Sequence, residues 1–186
     1  MAKSKIILLD SDVISHFMST AKIDVLPKIL SPNYLYIVDD VYRESIHHPI
    51  FEDRKQELDN WISKNKIQRI AFPWNNDKIK WEFYRIKKES PQLGAGERAC
   101  LAIARYEKDV IASSNFRDVA DYCKEFNIEH IGVMDILTIA VRRGFFSNDD
   151  CNKFIHDAIT INDGKFPVDK FENYNPIRNL DEFCAV

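Results

Sequence analysis

The hydrophobic positions of this chain fall in short unbroken runs separated by stretches with helical spacing. Residues 5–9, Lys-Ile-Ile-Leu-Leu, form one run that ends at Asp10. A strand buried on both faces reads this way, and a parallel sheet covered by helices makes such strands. Runs recur at 34–38 (Tyr-Leu-Tyr-Ile-Val), 110–112 (Val-Ile-Ala) and 130–133 (His-Ile-Gly-Val). Helical spacing follows each: Ile14, Phe17, Met18; Val41, Ser45, Ile46; Val119, Ala120, Tyr122, Cys123; Ile136, Leu137, Ala140, Val141. Strands alternating with helices predict an α/β fold. Pro27 and Pro32 bracket a short helix, and Gly144 is placed to end a helix over 135–143.

Two stretches stand apart from this alternation. Residues 50–92 read as an elaboration, with a polar helix at 52–64, a strand-like segment at 68–72 and a helix at 77–88. After Gly144 comes an amphipathic helix over 149–159, a strand-like stretch near 165–171 and a loosely held polar tail from 173. The organisation predicted is one domain over 1–145 that includes the elaboration, with 146–186 as a C-terminal helix and tail packed on it.

A chain of 186 residues matches one domain. With 45% hydrophobic and 30% charged residues it can bury a core, which excludes a disordered chain. No run approaches the roughly 18 apolar residues of a membrane span. Only Ile6 to Leu9 are continuously apolar near the start, too few for a secretory signal, so the expectation is a cytoplasmic protein with no membrane partner. Cys100, Cys123, Cys151 and Cys184 are widely spaced and read as reduced, mostly core thiols. A net charge of −3 excludes a globally basic nucleic-acid coat but leaves room for a local basic surface.

The acids cluster by position. In an open parallel sheet, ligands collect beyond the carboxyl ends of the strands. Asp10 and Asp12 follow the first strand, Asp39 and Asp40 the second with Glu44 a turn later, Asp118 lies past the third, and Glu97 opens the helix before it. Carboxylates crowded in one cleft repel each other unless a cation sits between them, and Mg²⁺ or Mn²⁺ suits oxygen ligands. Each acid also has a structural use: Asp12 and Asp40 as N-caps, Glu44 as an exposed helix residue, and Asn115 with Asp118 as a capping box. Asp10 closes a buried apolar strand, which is costly unless the charge is paired or metal-bound. Leu93-Gly94-Ala95-Gly96-Glu97 spends two of five glycines on a tight turn before a helix, and the glycines are expected to orient the carboxylate. Neither a dinucleotide fingerprint nor a P-loop follows.

These segments resemble the PIN-domain family of metal-dependent nucleases, which includes VapC-like toxins. Leu8-Leu9-Asp10-Ser11-Asp12-Val13-Ile14-Ser15 is similar to the family's opening, Glu44 in Val41-Tyr42-Arg43-Glu44-Ser45-Ile46 to its helix glutamate, and Gly94-Ala95-Gly96-Glu97 to its Gly-x-Gly-Glu helix. Residues 109–118 and 132–137 are similar to its final strands and helix. The resemblance implies a three-layer α/β/α sandwich with a central, mainly parallel sheet. It implies that Asp10, Glu44, Glu97 and Asp118 hold Mg²⁺ or Mn²⁺ and hydrolyse RNA, with Asp12 auxiliary. One departure is clear: Ser113-Ser114-Asn115 stand where many members carry Asp, so Asp118 or Asn115 is expected to replace the absent ligand. Ser114 is assigned to substrate or water, Arg43 and Arg98 to phosphate, and a cognate antitoxin and a homodimer are the implied protein partners.

RNA also needs cations near an acidic cleft. Residues 54–88 hold ten Lys and Arg against four acids, +6, leaving −9 elsewhere. All three tryptophans, Trp61, Trp74 and Trp81, lie among them, and aromatic faces between cations can stack bases. The competing structural account makes Ile79, Phe83 and Ile86 a core stripe. Two rivals remain: a non-enzymatic PIN-like module binding RNA or protein, and a phosphotransferase using Asp10 and Asp12, which Ile14-Ser15 fits poorly.

Overall fold

The chain, seen as a computed structural model, is described over residues 4–47, 53–115 and 118–184, with Asp118 described by its backbone alone. Among the described residues five strands, β1 (Ile6–Leu9), β2 (Tyr34–Val38), β3 (Gln68–Ile70), β4 (Val110–Ala112) and β5 (His130–Ile131), form one sheet in the order β3-β2-β1-β4-β5. Every pairing is parallel. The helices are α1 (Ser11–Ser19), α2 (Leu26–Leu30), α3 (Asp39–Ile46), α4 (Arg54–Asn65), α5 (Asp77–Glu89), α6 (Ala95–Glu107), α7 (Asp118–Glu125), α8 (Val133–Arg142), α9 (Asn148–Asn162) and α10 (Asp181–Cys184). They cover the sheet as an α/β/α sandwich: α3, α5 and α7 pack on α6, α9 on α1, and α8 on α2.

The unbroken apolar runs have the cause the pattern predicts. β1 is central, with Ile7 opposite Leu35 on one side and Val110 on the other, and Ile7, Leu8 and Leu9 are completely buried. From β1 the chain steps outward through β2 to β3, then returns to the far side of β1 and steps outward again through β4 to β5. That reversal opens a crevice beyond the carboxyl ends of β1 and β4, the place where such sheets bind ligands. Asp10 and residues 113–115 stand there.

Three expectations change. The segment at 68–72 is not part of a separate elaboration: β3 is the edge strand of the main sheet, with Val38 opposite Ile70. Its backbone needs the β2 ladder, so only the flanking helices are added to the sheet. No strand forms at 165–171, where the chain runs as loop into a 3-10 turn at Phe171–Asn173. The tail is anchored rather than loose. Tyr174 donates its hydroxyl to Asp135 Oδ1 at 2.7 Å, and Leu180 and Phe183 are 1% exposed. Two apolar residues in a polar sequence suffice to dock it, worth roughly 2 kcal/mol each.

Candidate functional site

β1 delivers Asp10 to the crevice, where the backbone is still extended and the carboxylate caps α1: Oδ1 accepts the Ser11 backbone N–H at 2.7 Å. Asp12, expected as a cap, sits inside the first turn instead. Asp10 Oδ2 accepts the hydroxyl of Ser113, from the end of β4, at 2.8 Å. Neither donor carries charge. Burial pushes the Asp10 carboxyl well above its usual range, and the charges of Glu97 and Asp12 push it further.

The glycine turn works on two carboxylates. Glu97 reaches back to the Gly94 N–H with Oε2 at 2.9 Å, and its Oε1 accepts from Asn115 Nδ2 at 2.9 Å. Its acidity is weakened chiefly by burial, with Asp12 and Glu44 adding repulsion and the two hydrogen bonds opposing. Glu44 arrives from α3 and accepts the Gly96 N–H at 2.9 Å, with its other oxygen 3.4 Å from the Ser11 hydroxyl. A Cβ on Gly96 would lie 2.6 Å from Glu44 Oε2 and 2.9 Å from Val41 Cγ2. Only glycine lets α6 approach α3 closely enough for Glu44 to be held.

Asp10, Asp12, Glu44 and Glu97 therefore converge from three separate stretches of sequence. Asp12 and Glu97 repel the charge of Asp10, and Asp12 and Glu44 that of Glu97, and among the described residues no Lys or Arg forms an ion pair with any of them. As oriented here, no three His, Cys, Asp or Glu side chains among the described residues are close enough to hold a metal ion, each fixed carboxylate being turned toward a protein donor. The side chain of Asp118 lies outside what is described. The donor set itself suits a hard divalent cation, since it is all oxygen and carries unrelieved negative charge.

A cleft of about 690 Å³ opens beside these acids, lined by Ser11, Asp12, Glu44, Ser114 and Asn115 together with His16, Arg54, Asn162 and Lys165. Two assigned phosphate contacts are absent from it. Arg43 follows one position before Glu44, and consecutive helical positions point about 100° apart; it is exposed and pairs with Asp40 at 3.2 Å. Arg98 gives its Nη1 donor to the Leu93 carbonyl and lies 5.4 Å over the Phe83 ring, so it braces α6 on α5. Asn115 donates its Nδ2 to Glu97, and its expected capping of α7 rests on residues outside those described. Ser113 was missed as the partner of Asp10. His16 was missed too, although it lies one helical turn from Asp12, and Asn162 to Lys165 carry no local signal at all.

A family model described as DUF3368: PIN domain matches residues 6–162. The chain belongs to the PIN-domain family. No curated protein matches it. The PIN domain is a nuclease fold, and its nucleases typically use divalent metals. No helix among the described residues is long and apolar enough to cross a membrane. In this PIN domain the match ends at Asn162, and the cleft is completed by Asp163, Gly164 and Lys165 beyond it.

The basic segment of this PIN domain divides into core and surface. Trp61 is buried and donates its indole N–H to the Ile23 carbonyl at 2.9 Å, so it cannot stack a base. Ile79, Phe83 and Ile86 are buried, as a core stripe requires. Trp74, Trp81 and Tyr84 are 48%, 67% and 48% exposed and lie in a row, with Tyr84 6.3 Å from Trp74 and 6.4 Å from Trp81. Lys80 lies 5.9 Å over the Trp81 ring.

Proposed function

We propose that this PIN domain is a Mg²⁺- or Mn²⁺-dependent endoribonuclease. The observation that carries the proposal is the meeting of Asp10, Asp12, Glu44 and Glu97 at the sheet's reversal, where no Lys or Arg forms an ion pair with any of the four among the described residues. Elsewhere the chain neutralises such groups: buried Glu82 is held by Arg85 and Arg105, and its acidity is strengthened despite its burial.

Asp10 and Glu97, with Asp12, Glu44 and Asn115 beside them and Asp118 as a further ligand, would hold the ion, which when bound supplies positive charge against the phosphodiester oxygens and makes water more acidic. The chain's own residues set the geometry. Ser11 and Ser113 fix both oxygens of Asp10, Gly94 and Asn115 fix those of Glu97, and Gly96 fixes Glu44. Such neutral donors orient a carboxylate and leave its charge available. Ser114 lies on the cleft wall within reach of a bound substrate. The exposed Trp74-Tyr84-Trp81 row, with Lys78, Lys87 and Lys88 in the same segment, supports a single-stranded nucleic acid as substrate, because unpaired bases can stack there, and the family resemblance supports RNA. The resemblance to VapC-like toxins extends the proposal to a toxin held inactive by a cognate antitoxin, acting in the cytoplasm as a homodimer.

Purified protein is expected to cut single-stranded RNA when Mn²⁺ or Mg²⁺ is added and to stop in excess chelator. Asp10→Asn should lower the rate about 10²-fold or more while the protein stays folded; undiminished cutting by that variant refutes the assignment. A second proposal, a PIN-like binding module without catalysis, is favoured by residues 113–115, which place no acid after β4. Calorimetric titration with Mn²⁺ separates the two, since the module takes up no ion at this site.

A further inference from the structure

The cleft is lined by cations as well as carboxylates, and carboxylates alone cannot hold a polyanion. We propose that Arg54, His16, Asn162 and Lys165 in its lining form a phosphate-binding subsite that seats a backbone phosphate of the RNA beside the one being cut. The proposal rests on the nuclease reading of the carboxylates and adds the group that positions the substrate against them.

Arg54 is only 2% exposed, yet it lines the cleft. A guanidinium kept from bulk water on a polar wall presents a planar fork of donors matched to phosphate oxygens. It opens α4. His16 is buried on α1, and Asn162 Nδ2 lies 3.1 Å from its Nδ1, while Asn162 Oδ1 accepts the Ser15 hydroxyl at 3.1 Å. With the amide donating to Nδ1, the ring carries its proton on Nε2 and is a neutral hydrogen-bond donor. Burial, the largest cause, lowers the basicity of this imidazole, in keeping with a neutral ring.

The strap from Asn162 to Lys165 is fitted to that ring. Asp163 ends α9 in the left-handed conformation, and the Gly164 N–H returns to the Ala158 carbonyl at 3.1 Å. A Cβ on Gly164 would stand 2.9 Å from His16 Cε1 and 3.0 Å from the Phe166 ring. Glycine therefore lets the strap close on His16 and sets Lys165 at the cleft. Lys165 is exposed and makes no ion pair among the described residues. Asp163 also lines the cleft, so its fixed charges are the cations Arg54 and Lys165 against the anions Asp12, Glu44 and Asp163. A phosphate in the cleft thus meets the donors of Arg54, His16 and Lys165 beside acids whose charge a bound cation would offset.

The test uses the full chain and a short fluorescein-labelled single-stranded RNA, with binding followed by anisotropy in chelator and cleavage followed in Mn²⁺. Lys165→Gln is expected to weaken binding about 3- to 10-fold at low salt and to reduce the slope of log affinity against log salt, between about 50 and 200 mM, by about one. KM should rise by the same factor. Arg54→Gln should do as much or more, with Arg54→Lys recovering part of the loss; if Arg54→Gln fails to fold, Lys165→Gln decides. Lys153→Gln, a charge removed from the solvent side of α9, is the control. Unchanged affinity and slope for Lys165→Gln, or an equal loss for Lys153→Gln, overturns the subsite. Wild-type protein that cuts RNA while Lys165→Gln binds normally sinks the subsite alone, whereas wild-type protein that binds RNA through Lys165 and never cuts it sinks the nuclease reading alone.

Discussion

Helices α6 and α8 begin the same way and serve different ends. Each starts after a glycine, and an acid three residues on reaches back to that glycine's N–H, Glu97 to Gly94 and Asp135 to Gly132, both at 2.9 Å. The local device is one capping arrangement used twice. What surrounds it differs. Asp135, completely buried, also receives the Tyr174 hydroxyl and lies 3.3 Å from Arg178 Nε, so its charge is matched by a cation. Glu97 receives a neutral amide from Asn115 and faces Asp12 and Glu44. The carboxylate that caps and braces is given a counter-charge; the one crowded with other acids has a neutral amide, and on the proposed reading a bound ion would neutralise it.

The largest effect expected from this contrast is at α8. Asp135→Asn keeps the shape and the contact to Gly132 but leaves Arg178 facing a neutral partner, and breaking a buried pair costs about 3–5 kcal/mol, toward the lower end here because Arg178 is 29% exposed. Thermal unfolding should fall by roughly 10 °C for a chain of this size. A variant as stable as wild type would erase the distinction between the two helix starts.

The next effect is a pH dependence in the same region. His130 on β5 is held near pKa 4 rather than 6.5, first by burial and then by the Arg178 charge. Because the folded pKa lies below the unfolded one, the unfolded chain takes up a proton that the folded chain refuses, and stability is lost as pH falls from about 6.5 to about 4. The full extent is about 3 kcal/mol. Urea unfolding of wild type and His130→Gln across that range measures it. The glutamine keeps a donor for the Ser113 carbonyl, and its curve should be flatter; parallel curves would remove His130 from the account.

Much of this architecture was legible along the chain because it is local. Four of the five strands and the helices behind them follow from runs of apolar residues, and the opening Leu-Asp-Ser-Asp and Gly-Ala-Gly-Glu segments carried the family. What stayed hidden depends on pairing across long separations. Gln68–Ile70 shows nothing in its own sequence that distinguishes an edge strand from an isolated one, and only its ladder to β2 decides. Ser113 and Ser114 are chemically alike, and strand geometry alone turns Ser113 onto Asp10. Arg43 and Arg98 adjoin acids in sequence, yet the helical rotation per residue sends them elsewhere, while Lys165 reaches the cleft from 155 positions beyond Asp10. Trp61 belonged to a basic, aromatic segment by composition and to the core by packing.

The smallest effect sharpens the contrast from the other side. Glu97→Gln retains an acceptor for the Gly94 N–H, and its amide can donate to Asn115 once that side chain turns its oxygen inward. The cap survives while a buried charge that Asp12 and Glu44 repel is removed. Groups held for function against their own electrostatics typically stabilise a protein when neutralised. The variant should therefore match wild type or exceed it by up to about 1 kcal/mol, a rise of roughly 2–4 °C in thermal unfolding without divalent ions. Adding Mn²⁺ should then raise the unfolding temperature of wild type and leave the variant where it was, because a ligand stabilises only the state that binds it. A loss of several degrees for Glu97→Gln in chelator would show that Glu97, like Asp135, is a structural cap.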